Sequence, residues 1–287
     1  MRMRHRSIGL RVGILIAVPL LLLLVAYGFA ASLTLSNALQ QTRATALRTQ
    51  VGNPVSVFQL EVAAERGLAI LNLATPSSPQ LAGQLGTQEV ATSRSLAQLR
   101  SALSAPAATA SASSAELTAV RALLAQGAEL NLVRSAVAAD AIDMRAALSD
   151  YDSIIQSGYS VLDHLIDSQA NVEQVTQATD LVNLDRAREA TLAESDLLAG
   201  DMAMREFPDA DRMTIASLAA TRQQLVAGSA PNLQGSYRAA FDRYVTPAAA
   251  NSITAAEASV VESPWHLGTA PPHSSPQALP SLPTRTR

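Results

Sequence analysis

The sequence predicts an all-α protein, with an N-terminal transmembrane helix followed by an antiparallel up-and-down helical bundle. Three observations carry that expectation. Apolar residues recur at spacings of three and four through most of residues 54–262, and strict alternation over a useful length is absent. Aromatic residues make up 3% of the chain while Ala and Leu abound, which favours helix over strand. The run Val12–Ala31 holds twenty residues without a charge, about the number that spans a bilayer core.

Residues 1–11, MRMRHRSIGLR, form a basic stub that carries Arg2, Arg4, Arg6 and Arg11. Such arginines stay cytoplasmic, so the chain from Ser32 onward is expected outside the membrane. Pro19 is tolerated in the span as a kink. A cleaved signal peptide is the rival reading, with Gly28-Phe29-Ala30 as the small-x-small site. A signal core runs to roughly 7–15 residues, shorter than this one, so an anchor is the better account. Both readings leave the bulk of the chain extracytoplasmic. No second run of this length follows residue 31.

Residues 32–53 form a juxtamembrane helix, and the helical domain proper covers 54–262. Asn53 as N-cap and Pro54 at the first helical position predict a new helix that ends near Thr75-Pro76-Ser77-Ser78-Pro79. A second helix covers about 80–103 and stops in the small-residue linker SAPAATASASS. The third runs from about Ser114 to Ala139, capped by Ser113 or Ser114. Leu148, Tyr151, Ile155, Tyr159, Leu162 and Ile166 then mark the clearest amphipathic helix, with Asp150, Asp152, Ser153 and Asp163 off that stripe. Further helices are expected over about 177–205, from FPDADR to Val226, and over about 232–261. Residues 263–287 hold six of the fourteen prolines without periodicity and read as a disordered tail.

Composition excludes several functions. All 21 basic residues are Arg, scattered along a chain of net charge −3, so no nucleic-acid surface is expected. The absence of cysteine removes disulfides, thiolate metal sites and Cys nucleophiles. No Gly-x-Gly exists to cradle a phosphate, and His164, in LDHLID, has no second His at ligand spacing and reads as a surface or partly buried residue. The acids of ESDLLAGD are not arranged as a calcium loop. No catalytic constellation, metal site or cofactor site is recognisable.

The candidate ligand residue is Arg66. The helix from Pro54 carries two apolar stripes, one of Val57, Leu60, Ala64, Leu68 and Leu71, the other of Val62, Ala69, Ile70 and Leu73. Arg66 centres the second, and its neighbours three and four residues away, Val62, Ala63, Ala69 and Ile70, include no acid. A guanidinium on such a face needs a carboxylate from another helix, such as Glu189, Glu194 or Glu129, or a bound anion. Arg134 and Arg145 also lack local acids, and solvated faces are expected for both. Arg188 with Asp185, Arg205 with Asp201 and Arg238 with Asp242 read as surface pairs.

At VGNPVSVFQLEVAAERGL the sequence resembles the nitrate- and nitrite-sensing domain family. Gln59, Leu60 and Glu65-Arg66-Gly67 match its LQ-x-ER helix, and the Tyr151–Ile166 segment looks like its mid-domain helix. LDRAREATLAESDLLAG is similar to its KE-x-x-G-x-E-R-A helix, with Arg188-Glu189 and Glu194 in register. Two positions depart: Leu192 stands in place of Gly, and Glu194-Ser195 in place of the second Glu-Arg. The resemblance implies an all-helical extracytoplasmic sensor of the kind found in actinobacterial sensor histidine kinases, with Arg66 as a ligand of a small oxyanion.

The expected function is thus a membrane-anchored sensor module of a two-component-type protein, without enzymatic activity of its own. Expected partners are the membrane, nitrate or nitrite, and a second copy of the chain. A surface adaptor that binds protein partners through a bundle face is the alternative. The abrupt change at ESPW also fits a sensor kinase truncated by a frame change, with residues from about 264 outside the native domain.

Overall fold

The computed structural model describes residues 48–105, 112–167 and 171–244. Among these residues the regular structure is all helix. A π turn, Arg48–Gly52, leads into α1, Asn53–Ala74. There follow α2 (Pro79–Ser104), α3 (Ser114–Ala138), α4 (Met144–Asp167) and α5 (Val172–Met204). The last two are α6 (Asp209–Ser229) and, after a 3-10 turn at Ala230–Asn232, α7 (Gly235–Tyr244). No described helix is long and apolar enough to cross a membrane, and the Val12–Ala31 span and the tail lie outside the described residues.

Polar side chains start most of these helices. Ser78 accepts from the Leu81 N–H and Asn171 from those of Glu173 and Gln174. Ser113, rather than Ser114, caps α3 through a full capping box with Glu116. At α1 the expectation of Asn53 as N-cap fails. Gly52 is already helical, with no side-chain cap, and the chain enters from the π turn. Pro54 has no N–H to return to the preceding turn, and the backbone widens there instead of stopping.

The central layer is α1, α4 and α5, which pack on one another. Each carries its neighbour in sequence on its outer side: α2 beside α1, α3 beside α4, α6 beside α5. The main core joins Phe58 and Val62 of α1 to Leu99 of α2, Leu123 and Leu130 of α3, and Tyr151, Ile155 and Tyr159 of α4. A smaller core joins Ile70 of α1, Met144 and Leu148 of α4, Leu197 of α5 and Ile215 of α6. Helix α4 buries the stripe that its spacing predicts, with Leu162 only partly covered. Helix α1 buries Val62, Ala69 and Ile70 of the stripe centred on Arg66, with Leu73 partly covered, and leaves Val57 and Leu60 about half exposed, at 47% and 49%.

Candidate functional site

Three buried polar residues of α1, Gln59, Glu65 and Arg66, interrupt the apolar centre. Gln59 donates to the Ile155 carbonyl at 2.9 Å and lies against Gly158, where a Cβ would fall 2.6 Å from its side chain. Glycine is required there by the close approach of α1 and α4.

Arg66 is fully buried where α1, α4 and α5 meet. Its Nε donates to Asp196 at 2.9 Å, and its Nη1 donates both to Asp152 and to Glu189, each at 2.5 Å. Asp152 comes from α4, and Glu189 and Asp196 from α5, where a separation of two helical turns puts both on one face. Gly67 lets α5 come close, since a Cβ there would sit 2.6 Å from Asp196 Oδ1. The remaining nitrogen, Nη2, is buried with no hydrogen-bond partner among the described residues. One cation thus faces three carboxylates while its own donors remain incompletely used.

The electrostatics are unbalanced in the same sense. Burial pulls the Arg66 guanidinium down, and Glu189, Asp152 and Asp196 outweigh it, so the group stays firmly charged. Burial holds the carboxyls of Asp152, Glu189 and Asp196 above the ordinary range, because the pull of the single Arg66 only partly offsets it. Asp152 also raises the other two by repulsion.

Next to this cluster stands a matched one. Glu65 takes both its oxygens to Arg134 of α3, at 2.8 Å from Nε and 2.8 Å from Nη2. The Tyr151 hydroxyl donates to Glu65 at 3.0 Å, and burial followed by the Glu65 charge pushes that phenol upward. Arg134 was expected on a solvated face. Its side chain is only 13% exposed, because α3 packs close enough to α1 for a bidentate pair.

Other expected site residues fall as follows. Of the three acids expected for Arg66, Glu189 meets it, while Glu194 is buried on α5 without being among its partners and Glu129 is exposed; Asp152 and Asp196 complete the set. The seven-residue step from Glu189 to Asp196 was a readable sign of one shared face. Arg145 is half exposed, 3.2 Å from Asp211. Arg188–Asp185 and Arg238–Asp242 pair locally, whereas Asp201 turns inward to Asp211 rather than to Arg205, which is exposed. His164 is partly buried near the end of α4.

A family model described as nitrate and nitrite sensing matches residues 60–281. The chain belongs to the nitrate and nitrite sensing family. The match takes in Arg66 and all its carboxylate partners, and it runs past residue 262, where periodicity ends the domain. No curated protein matches. Among solved structures, that of the NasR transcription antiterminator matches at a TM-score of 0.69 and 19% identity. It aligns with 80% of this chain, which spans 62% of that one. At that identity the likeness establishes the fold. Within the nitrate and nitrite sensing pattern, Ser195, in place of the second arginine, is exposed, and the next residue, Asp196, meets Arg66. A carboxylate thus contacts Arg66 from the helix on which the pattern has a further cation.

Proposed function

We propose that this chain is the sensor module of a two-component-type signalling protein, anchored by Val12–Ala31 with its bundle outside the membrane. In this reading Arg66 takes a small planar oxyanion, nitrate or nitrite, and the chain performs no catalysis. The observation that carries it is the buried Nη2 of Arg66, without a hydrogen-bond partner among the described residues, at the junction of three helices. A guanidinium suits a planar oxyanion, which accepts two parallel N–H bonds, and a buried donor left unused is costly. Binding there would alter contacts among α1, α4 and α5 together, a means of moving helices against one another. The membership of the nitrate and nitrite sensing family supports the choice of anion.

Titration calorimetry of the full chain with nitrate and with nitrite tests the ligand. Heat that saturates, and that disappears in Arg66→Lys, supports the reading, since a point charge loses the fork geometry. No heat at any pH favours the alternative, a surface adaptor, for which the half-exposed Val57 and Leu60 offer an apolar face. A reporter fused at Ser263 that proved cytoplasmic would overturn the topology.

A further inference from the structure

The oxyanion site of the proposed function is occupied, in part, by the protein itself. A guanidinium offers its donors as two forks, Nε with Nη2 and Nη1 with Nη2. Each fork here has its Nη2 arm free and its other arm taken, by Asp196 on Nε and by Asp152 and Glu189 on Nη1. An anion that binds through two oxygens must therefore displace a carboxylate. Of the three, Asp152 is the most exposed, with 33% of its side chain accessible against 8% for Glu189 and 18% for Asp196. It has the shortest way out.

Displacement alone leaves a difficulty. Nitrate, Glu189, Asp196 and a nearby Asp152 are all acceptors, and they would share one cation that is itself closed to water. A proton removes the difficulty if it sits on the group that has moved. A protonated carboxyl becomes a donor, and the oxyanion still has an oxygen to accept from it.

We propose that Arg66 binds its oxyanion by exchange with Asp152, and that the anion enters together with one proton from solvent, held on the Asp152 carboxyl. The inference rests on the anion-binding reading above and names its regulation. Asp152 is then an internal competitor that occupies the site when the ligand is absent. Its surroundings favour protonation once it leaves Arg66. The facing groups on α5 are Glu189 and Asp196, both acidic, with Arg188 acting on Glu189, which in turn acts on Tyr159 of α4. On α1, Glu65 is committed to Arg134. Arg66 is the one charge that draws the Asp152 carboxyl down, and the anion takes that charge away. The sensor would respond to an oxyanion more strongly in acid surroundings.

Calorimetric titration of the full chain with sodium nitrate, at several values between pH 5.5 and 8 and in two buffers of different ionisation enthalpy, tests this. The expected result is uptake of about one proton per nitrate, with affinity about tenfold weaker for each unit of rising pH. Asp152→Asn, which imitates the protonated carboxyl, should bind nitrate at least tenfold more tightly at pH 7.5 and lose most of the pH dependence. Asp196→Asn should retain it. Wild-type affinity that is flat with pH overturns the exchange and leaves anion binding standing. A slope that survives in Asp152→Asn but vanishes in Asp196→Asn overturns the assignment to Asp152. Absence of heat in the wild type and in folded Asp152→Asn, at every pH, overturns the anion-binding reading and the exchange with it.

Discussion

Glu65 and Arg66 are adjacent on α1, both fully buried, and the bundle answers them in opposite ways. Glu65 has one bidentate arginine and one phenol, so charge and hydrogen bonds close together. Arg66 has three carboxylates and an idle nitrogen, so neither closes. A closed pair fixes α1 against α3 and α4 and has no use for a ligand. An open cluster still has a donor to offer one. In the proposed function the imbalance marks the site: a buried charge whose partners are wrong in number, not burial itself.

The largest expected effect lies in the closed pair. Arg134→Ala leaves the Glu65 carboxylate buried beside a lone phenol and should cost about 3–5 kcal/mol, read by urea denaturation. The loss should persist across pH 6–8. Arg134→Met with Glu65→Met should recover most of it, since an apolar pair of similar volume carries no uncompensated charge. Failure of the double variant to recover would mean that the pair sets helix register as well as balancing charge.

Arg66→Ala should cost somewhat less, about 2–4 kcal/mol at pH 8, and, unlike Arg134→Ala, recover in acid. The three carboxyls already sit above the ordinary range, and loss of Arg66 removes the pull that restrains them. Groups with raised folded values contribute stability that is full below their unfolded values and lost as pH rises through the folded ones. Denaturation of Arg66→Ala at pH 5 and pH 8 should therefore differ strongly. Equal losses at both would put Arg66 in the same class as Arg134.

How much of this contrast was legible depended on distance along the chain. Ser113 with Glu116, and the α4 stripe from Leu148 to Ile166, lie within a few turns of one helix and were readable. The need of Arg66 for a partner beyond its own helix was readable too, from its apolar neighbours. Of its partners Glu189 was legible as a candidate, but Asp152 and Asp196 were not, because they lie 86 and 130 positions away and helix rotation in the bundle decides which acids arrive. The burial of Arg134 is hidden for the same reason: its partner is 69 positions away. Nor does α1 announce its inner face, since apolar stripes line both sides and the packing of α4 and α5 settles which is covered.

A third carboxyl cluster extends the contrast. Asp201 of α5 and Asp211 of α6 are buried against each other, with Arg145 of α4 3.2 Å from Asp211 and Asp143 adding negative charge to Asp211. Burial, then Asp211, pushes the Asp201 carboxyl up to about 7. The folded state therefore holds a proton there that the unfolded chain has released by about pH 5. The stability it supplies is full below the unfolded value and lost as pH rises through about 7. Screening by Arg145 limits the loss to about 1–2 kcal/mol. Protection of Asp209–Ser229 against hydrogen exchange, taken relative to the intrinsic rate at each pH, should fall between pH 6 and pH 8, and Asp201→Asn should suppress that fall. Unchanged pH dependence in Asp201→Asn would show that the pair holds no proton.

The smallest effect has the opposite sign, and it separates the Glu65 and Arg66 clusters most directly. Glu65→Gln should destabilise by about 1.5–3 kcal/mol, because a matched charge-assisted pair is lost in a buried place. Asp152→Asn should stabilise the ligand-free protein at pH 7.5. It removes a surplus negative charge, leaves Glu189 on Nη1, and keeps the side chain's shape. Because a third of the Asp152 side chain is accessible, solvent screens the repulsion, and the gain should stay below about 1 kcal/mol. The sign follows from the raised carboxyl, whose ionised form opposes folding as pH rises, so the gain should fade toward pH 4. Thermal denaturation of both variants at pH 7.5 and pH 4.5 reads the difference. A loss for Asp152→Asn like that for Glu65→Gln would mean that Asp152 is a needed partner of Arg66 rather than a surplus one, and the Arg66 cluster would then be as closed as its neighbour.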